Sequence, residues 1–133
     1  MIPAVWLIGA GLLGALGVAA IVFNWDDILE WLHDFLPKVS SMIRDMAKNF
    51  GSQFEHVALM VADFIDNVNA KIEHKLYHKI GKGQWLEETT RRQLPESELP
   101  PAVMRKLEAK RRGKIKEADI TDEVEEELGL TLS

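Results

Sequence analysis

The chain divides according to where its apolar side chains fall. Ile2 to Phe23 (IPAVWLIGAGLLGALGVAAIVF) runs without a charged residue. As a helix rising about 1.5 Å per residue it is roughly 33 Å long, enough to cross a hydrocarbon core of about 30 Å. Trp6 and Trp25 then lie about 28 Å apart along the axis, one near each headgroup layer. This pattern predicts a transmembrane helix over residues 1–24, with Trp6, Trp25 and Trp31 as membrane-interface aromatics. Glycine costs about 1 kcal/mol relative to alanine in a helix, a cost that close packing between membrane helices offsets. Ala10, Gly14 and Gly17 make one small-residue stripe, and Gly11, Ala15 and Ala19 make its neighbour, so the span is expected to self-associate. Gly9-Ala10-Gly11-Leu12-Leu13-Gly14 also fits the dinucleotide-binding fingerprint. That fold needs further parallel strands and an acidic residue closing the second, and neither is evident here. A cleaved signal peptide is disfavoured because no Lys or Arg precedes the apolar run.

Beyond the span the spacing changes. In residues 25–37, Trp25, Ile28, Leu29, Trp31, Leu32, Phe35 and Leu36 fall on one arc at about 100° per residue. Asp26, Asp27, Glu30, His33 and Asp34 fill the opposite side. The expectation is an amphipathic, membrane-proximal helix that Pro37 kinks or ends. Residues 38–81 then repeat apolar side chains at Val39, Met42, Met46, Phe50, Phe54, Val57, Val61, Phe64, Val68, Ile72, Leu76 and Ile80. Their mean spacing of about 3.7 residues fits a long helix, or a helix pair joined near residues 49–52. A single helix cannot bury such a seam on itself, so the expected partner is a second copy.

Residues 82–133 read as a charged tail with short helices. Residues 84–94 suggest a short helix holding Trp85, and residues 95–101 a linker. Pro101 fits the first turn of a helix through Arg112 with Gly113 after it as the cap, and Gly129 ends a last helix begun near Thr121. The predicted fold class is therefore all-α: an N-terminal span, a long amphipathic stalk and short C-terminal helices in a homo-oligomeric bundle.

Charge arrives in blocks. The overall −5 divides into −5 over residues 24–70, +7 over residues 71–116 and −7 over residues 117–133. The tail thus has a basic part (82–116) and an acidic part (117–133). Arg105, Lys106, Lys110, Arg111, Arg112, Lys114 and Lys116 form a basic docking patch. It can meet the acidic segment after it, anionic lipid, or a nucleotide. Specific nucleic-acid binding is not expected. All Lys and Arg follow the span, which points to an outside N-terminus and a cytoplasmic body at the inner membrane. No cysteine is present, which excludes thiol catalysis and disulfides.

Chemistry is sparse. His74 and His78 share a helical face, but Lys71, Lys75, Lys79 and Lys82 surround them and oppose a cation, so no metal or cofactor is expected. No catalytic constellation can be named, and an enzyme is not expected. Two functional classes follow. One is a homo-oligomeric effector that perforates a membrane under control of its cytoplasmic part, as in bacterial anti-phage defence or a stress response, gated by a regulatory protein or nucleotide. The other is a membrane-anchored scaffold that recruits a cytoplasmic partner.

Overall fold

A computed structural model describes residues 20–51, 54–79 and 85–132. It is a mixed α/β structure, which corrects the all-α expectation. A short strand β1 (Ala20–Ile21) leads into helix α1 (Trp25–Phe50), followed by β2 (Glu55–Phe64), β3 (Asn69–Lys79) and β4 (Trp85–Pro95). A 3-10 turn (Glu96–Glu98), helix α2 (Pro101–Arg111), strand β5 (Ala118–Asp119) and helix α3 (Thr121–Leu128) complete it. The sheet order is β1-β4-β3-β2-β5, with β5, β2, β3 and β4 antiparallel in turn and β1 parallel to β4.

Strand β3 shows why this segment is a sheet. From Ala70 to Lys79, the side chains Ala70, Ile72, His74, Leu76 and His78 alternate with Lys71, Glu73, Lys75, Tyr77 and Lys79. Successive side chains on a strand point to opposite faces, so one register places every member of the first set on one side. Cross-strand pairing joins Ala58 to Leu76, Met60 to His74 and Ala62 to Ile72, and on the other side Leu94 to Ala70 and Thr90 to His74. The turn between β2 and β3 is set by Asp66, whose carboxylate accepts the backbone N–H groups of Val68 and Asn69, both at 2.8 Å. Those two bonds also hold the Asp66 carboxyl below its ordinary range.

Helices α1, α2 and α3 contribute to one core with this face. Trp25, Ile28, Leu32, Phe35, Leu36 and Val39 of α1, Val103 and Leu107 of α2, and Val124 of α3 pack with Met60, Ile72, Leu76 and Leu94. Asn24 caps α1 by accepting the Asp27 N–H at 3.0 Å, and the Asp27 carboxylate accepts the Phe23 N–H in return. Gly51 closes the helix at φ 60°, a left-handed angle that favours glycine. The Trp25 indole donates to Glu127 at 2.9 Å, tying the start of α1 to α3.

Several expectations are corrected by this arrangement. Residues 1–19, with Trp6 and the packing stripes Ala10, Gly11, Gly14, Ala15, Gly17 and Ala19, lie outside the described residues. The predicted span does not continue as helix to residue 24, since Ala20 and Ile21 pair with Arg92 and Gln93 as strand. Among the described residues no helix is long and apolar enough to cross a membrane, so they lend no support to a single-pass inner-membrane placement. The helix of residues 25–37 does not stop at Pro37 but runs through it to Phe50. Its apolar arc lies against its own sheet, and Trp25 is buried there rather than set in headgroups.

The oligomer seam is not one helical stripe. Val39, Met42, Met46 and Phe50 are on α1, and Phe54 precedes β2. Val57, Val61 and Phe64 lie on β2, Val68 in the turn, and Ile72 and Leu76 on β3, while Ile80 lies outside the described residues. Val57 and Val61 even face away from Ile72 and Leu76 across the sheet. The helical bundle falls with that seam.

Because α1 is held through its apolar arc, Leu32→Ala should lower the unfolding free energy by about 2–5 kcal/mol. Arg44→Ala, on the exposed side of the same helix, should change it by less than about 0.5 kcal/mol. Urea denaturation of both variants measures the contrast.

Candidate binding groove

The N-terminal half of α1 crosses the sheet beside the β1–β4 edge and leaves a groove of about 400 Å³. Val22, Asp27, Glu30, Trp31, Asp34, Phe35, Lys38 and Arg92 line it. Helical spacing explains the acidic side: Asp27, Glu30 or Trp31, and Asp34 recur at three to four residues and so share one flank of α1. Strand β4 supplies Arg92, whose guanidinium stands 4.6 Å from the Trp31 ring centroid, within cation–π range. Partial burial lowers the Arg92 pKa from its ordinary value. Trp31 and Phe35 continue the aromatic floor with ring centroids 5.6 Å apart. The Trp31 indole N–H is buried without a hydrogen-bond partner among the described residues. An unmet donor of this kind costs about 1–3 kcal/mol until an acceptor reaches it.

Beneath α1 lies a second polar feature that is closed to solvent. His74 and His78 are fully buried, with Glu88 and Thr90 beside them on β4. On a strand, residues four apart lie about 13 Å apart, so these histidines are not brought together as on a helix, and they are buried instead of lying on a solvated basic face. Among the described residues no group of three or more His, Asp or Glu side chains is arranged to hold a metal ion. His78 Nε2 lies 3.5 Å from Glu88 Oε2. Phe35 meets the His74 ring edge-on at 5.2 Å, and Met60 and Thr90 are its cross-strand neighbours. Neither His74 ring nitrogen has a hydrogen-bond partner among the described residues. Burial pushes the His74 pKa down to about 4.

The basic patch is divided rather than continuous. Lys106 bonds Glu123 at 2.9 Å and the Asp119 carbonyl at 2.6 Å, linking the basic and acidic tail segments within one chain. Lys110 pairs with Asp63 at 2.7 Å. Partial burial would raise the Asp63 pKa, but the bonds from Lys110 and the Phe64 N–H outweigh it and leave it lowered. Arg111 pairs with Glu108 and stacks 4.0 Å over Phe64. Arg105, Arg112, Lys114 and Lys116 are exposed.

The sequence pattern sets Trp31 among the headgroup aromatics and carries no sign of the groove, because Arg92 lies 61 positions away and nothing local links the two. No family model matches the chain, and no similar curated protein or solved structure was found.

The His74 environment sets a pH dependence. Its native pKa of about 4 lies below the ordinary 6.5, so the unfolded chain binds more protons at mildly acid pH. Its contribution to stability is therefore complete above about pH 6.5 and is lost as pH falls toward 4, by about 2 kcal/mol between pH 7 and pH 5. His74→Leu should remove that slope, and urea midpoints at the two pH values measure it.

Proposed function

We propose that this domain is a recruiting scaffold, whose groove between α1 and the β1–β4 edge takes a basic segment of a partner protein. The observation that supports this reading is the convergence of opposite chemistries on one groove. Asp27, Glu30 and Asp34 form an acidic flank beside the aromatic floor of Trp31 and Phe35. A lysine or arginine side chain suits that pairing, since its methylene stem covers aromatic surface while its charge reaches a carboxylate. The reading keeps the recruiting scaffold expected from sequence and moves its docking site from the basic patch of Arg105 to Lys116 to the α1 groove.

The test is nuclear magnetic resonance of indole N–H groups in the full chain, titrated with an oligolysine peptide. The Trp31 signal should move, an oligoglutamate peptide should leave it in place, and salt should weaken the effect. Exposed ion pairs are worth up to about 1 kcal/mol each, so reversing both Glu30→Lys and Asp34→Lys should weaken binding roughly tenfold. An unmoved Trp31 signal, or equal affinity in the double variant, would rule the groove out.

A further inference from the structure

Exposed apolar side chains are concentrated at one end of the sheet. Strand register shows this directly. Ile21 is level with Gln93, Gln93 with Lys71, and Lys71 with Asp63. Two residues further on, the same end presents Phe23, Pro95, Asn69 and Ile65, and the β2–β3 turn projects Val68 beyond them. The chain reaches β5 from this end too, because Ala118 pairs with Ala62 and Ile115 lies three residues earlier. Ile21, Phe23, Ile65, Val68 and Ile115 are all solvent-exposed, with Phe23 at 79% and Val68 at 66%. Across four strand spacings of about 4.8 Å, the row from β1 to β5 is roughly 19 Å wide.

The connection from α2 to β5 places positive charge on the β5 side of this end. Arg111, Arg112, Lys114 and Lys116 stand within six residues that contain no acid. Gly113, at φ 74°, turns the chain sharply out of α2, and its N–H bonds the Lys110 carbonyl at 3.0 Å. Lys110 and Arg111 sit in the last turn of α2, where cations offset the helix dipole. Arg112, Lys114 and Lys116 lie past that turn and are exposed. Acidic groups face the same end, but the nearest are engaged: Asp63 pairs with Lys110, and Asp66 is held by its own turn. Glu117 adjoins the basic run, and Glu96 and Glu98 lie on the β4 side, so the excess of positive charge is on the β5 side.

From this arrangement we infer that the β2–β3 turn and the α2–β5 connection form an end-on docking surface for an anionic lipid bilayer. Apolar tips spread over one end of the sheet, from three separate segments (Ile21 and Phe23, Ile65 and Val68, Ile115), match a planar interface better than a protein partner, whose binding energy concentrates in one contiguous packed cluster. The cations beside the tips supply attraction to acidic headgroups, and the tips enter the headgroup layer. The contact is peripheral and independent of the α1 groove.

The absence of cysteine allows a site-resolved test. Val68→Cys and, as the opposite-end control, Val57→Cys are each labelled with an environment-sensitive dye in the full chain. The labelled proteins are mixed with phosphatidylcholine vesicles with or without phosphatidylglycerol. The Val68 dye should shift to the blue and become quenchable by nitroxide-headgroup lipid in phosphatidylglycerol vesicles, whereas the Val57 dye should not. Each cation near an acidic surface is worth about fivefold in partition, so Arg112→Glu with Lys114→Glu should raise the lipid concentration at half-response at least about 30-fold. High salt should act in the same direction. Equal responses at both positions, a response to neutral vesicles alone, no response at Val68, or indifference to charge reversal and salt would overturn the assignment.

Discussion

One buried contact organises the described residues: the apolar arc of α1 laid across the inner face of β2, β3 and β4. Ile28, Leu32 and Phe35 meet Met60, Ile72 and Leu76 in a core completed by α2 and α3. Each large side chain fully removed from water contributes about 1.5–3 kcal/mol, so these six together are worth roughly the whole net stability of a typical domain, about 5–15 kcal/mol. The same contact dictates the groove. An amphipathic helix fixed by its apolar side has to turn its polar flank outward, and here that flank borders the β1–β4 edge.

The core also contains a cost. His74 and His78 occupy positions on the inner face where an aliphatic side chain satisfies the packing, and neither His74 ring nitrogen has a hydrogen-bond partner among the described residues. Burial of two imidazoles under α1 is thus an expense in stability that the surrounding contacts offset. It also hides the strand from inspection, since two polar residues interrupt an otherwise clear alternation.

Part of this architecture was readable from sequence, and the failures have a physical origin. Helix α2 lies between the Pro101 start and the Gly113 stop that its punctuation implies, and α3 ends at Gly129 with φ 70°. The arc of α1 is also evident, although periodicity cannot say what it packs against. The central error lies in spacing. Val57 to Val61 and Val68 to Ile72, Leu76 and Ile80 are steps of four, and four is nearly one helical turn and also twice the strand period. Lys71, Glu73, Lys75 and Lys79 break that tie in favour of a strand. Charged groups at every odd position would encircle a helix but form one clean face of a sheet. For the groove, the acidic flank was visible on α1, whereas Arg92 reached Trp31 only through the pairing of β4 with β1 and β3.

Pro37 gives the long helix two unequal halves. Proline lacks the N–H that would bond the His33 carbonyl, so the ladder has a gap one-third to one-half of the way along α1. Before that gap lie Trp25, Ile28, Leu32, Phe35 and Leu36, all buried; beyond it only Val39 and Met46 are. The first half is therefore held by more buried surface than the second, where Val39 and Met46 are joined only by the partly buried Met42 and Ile43, so the second half should open at lower free energy. Amide hydrogen exchange along α1 will be a step rather than a gradient, with its edge at the proline.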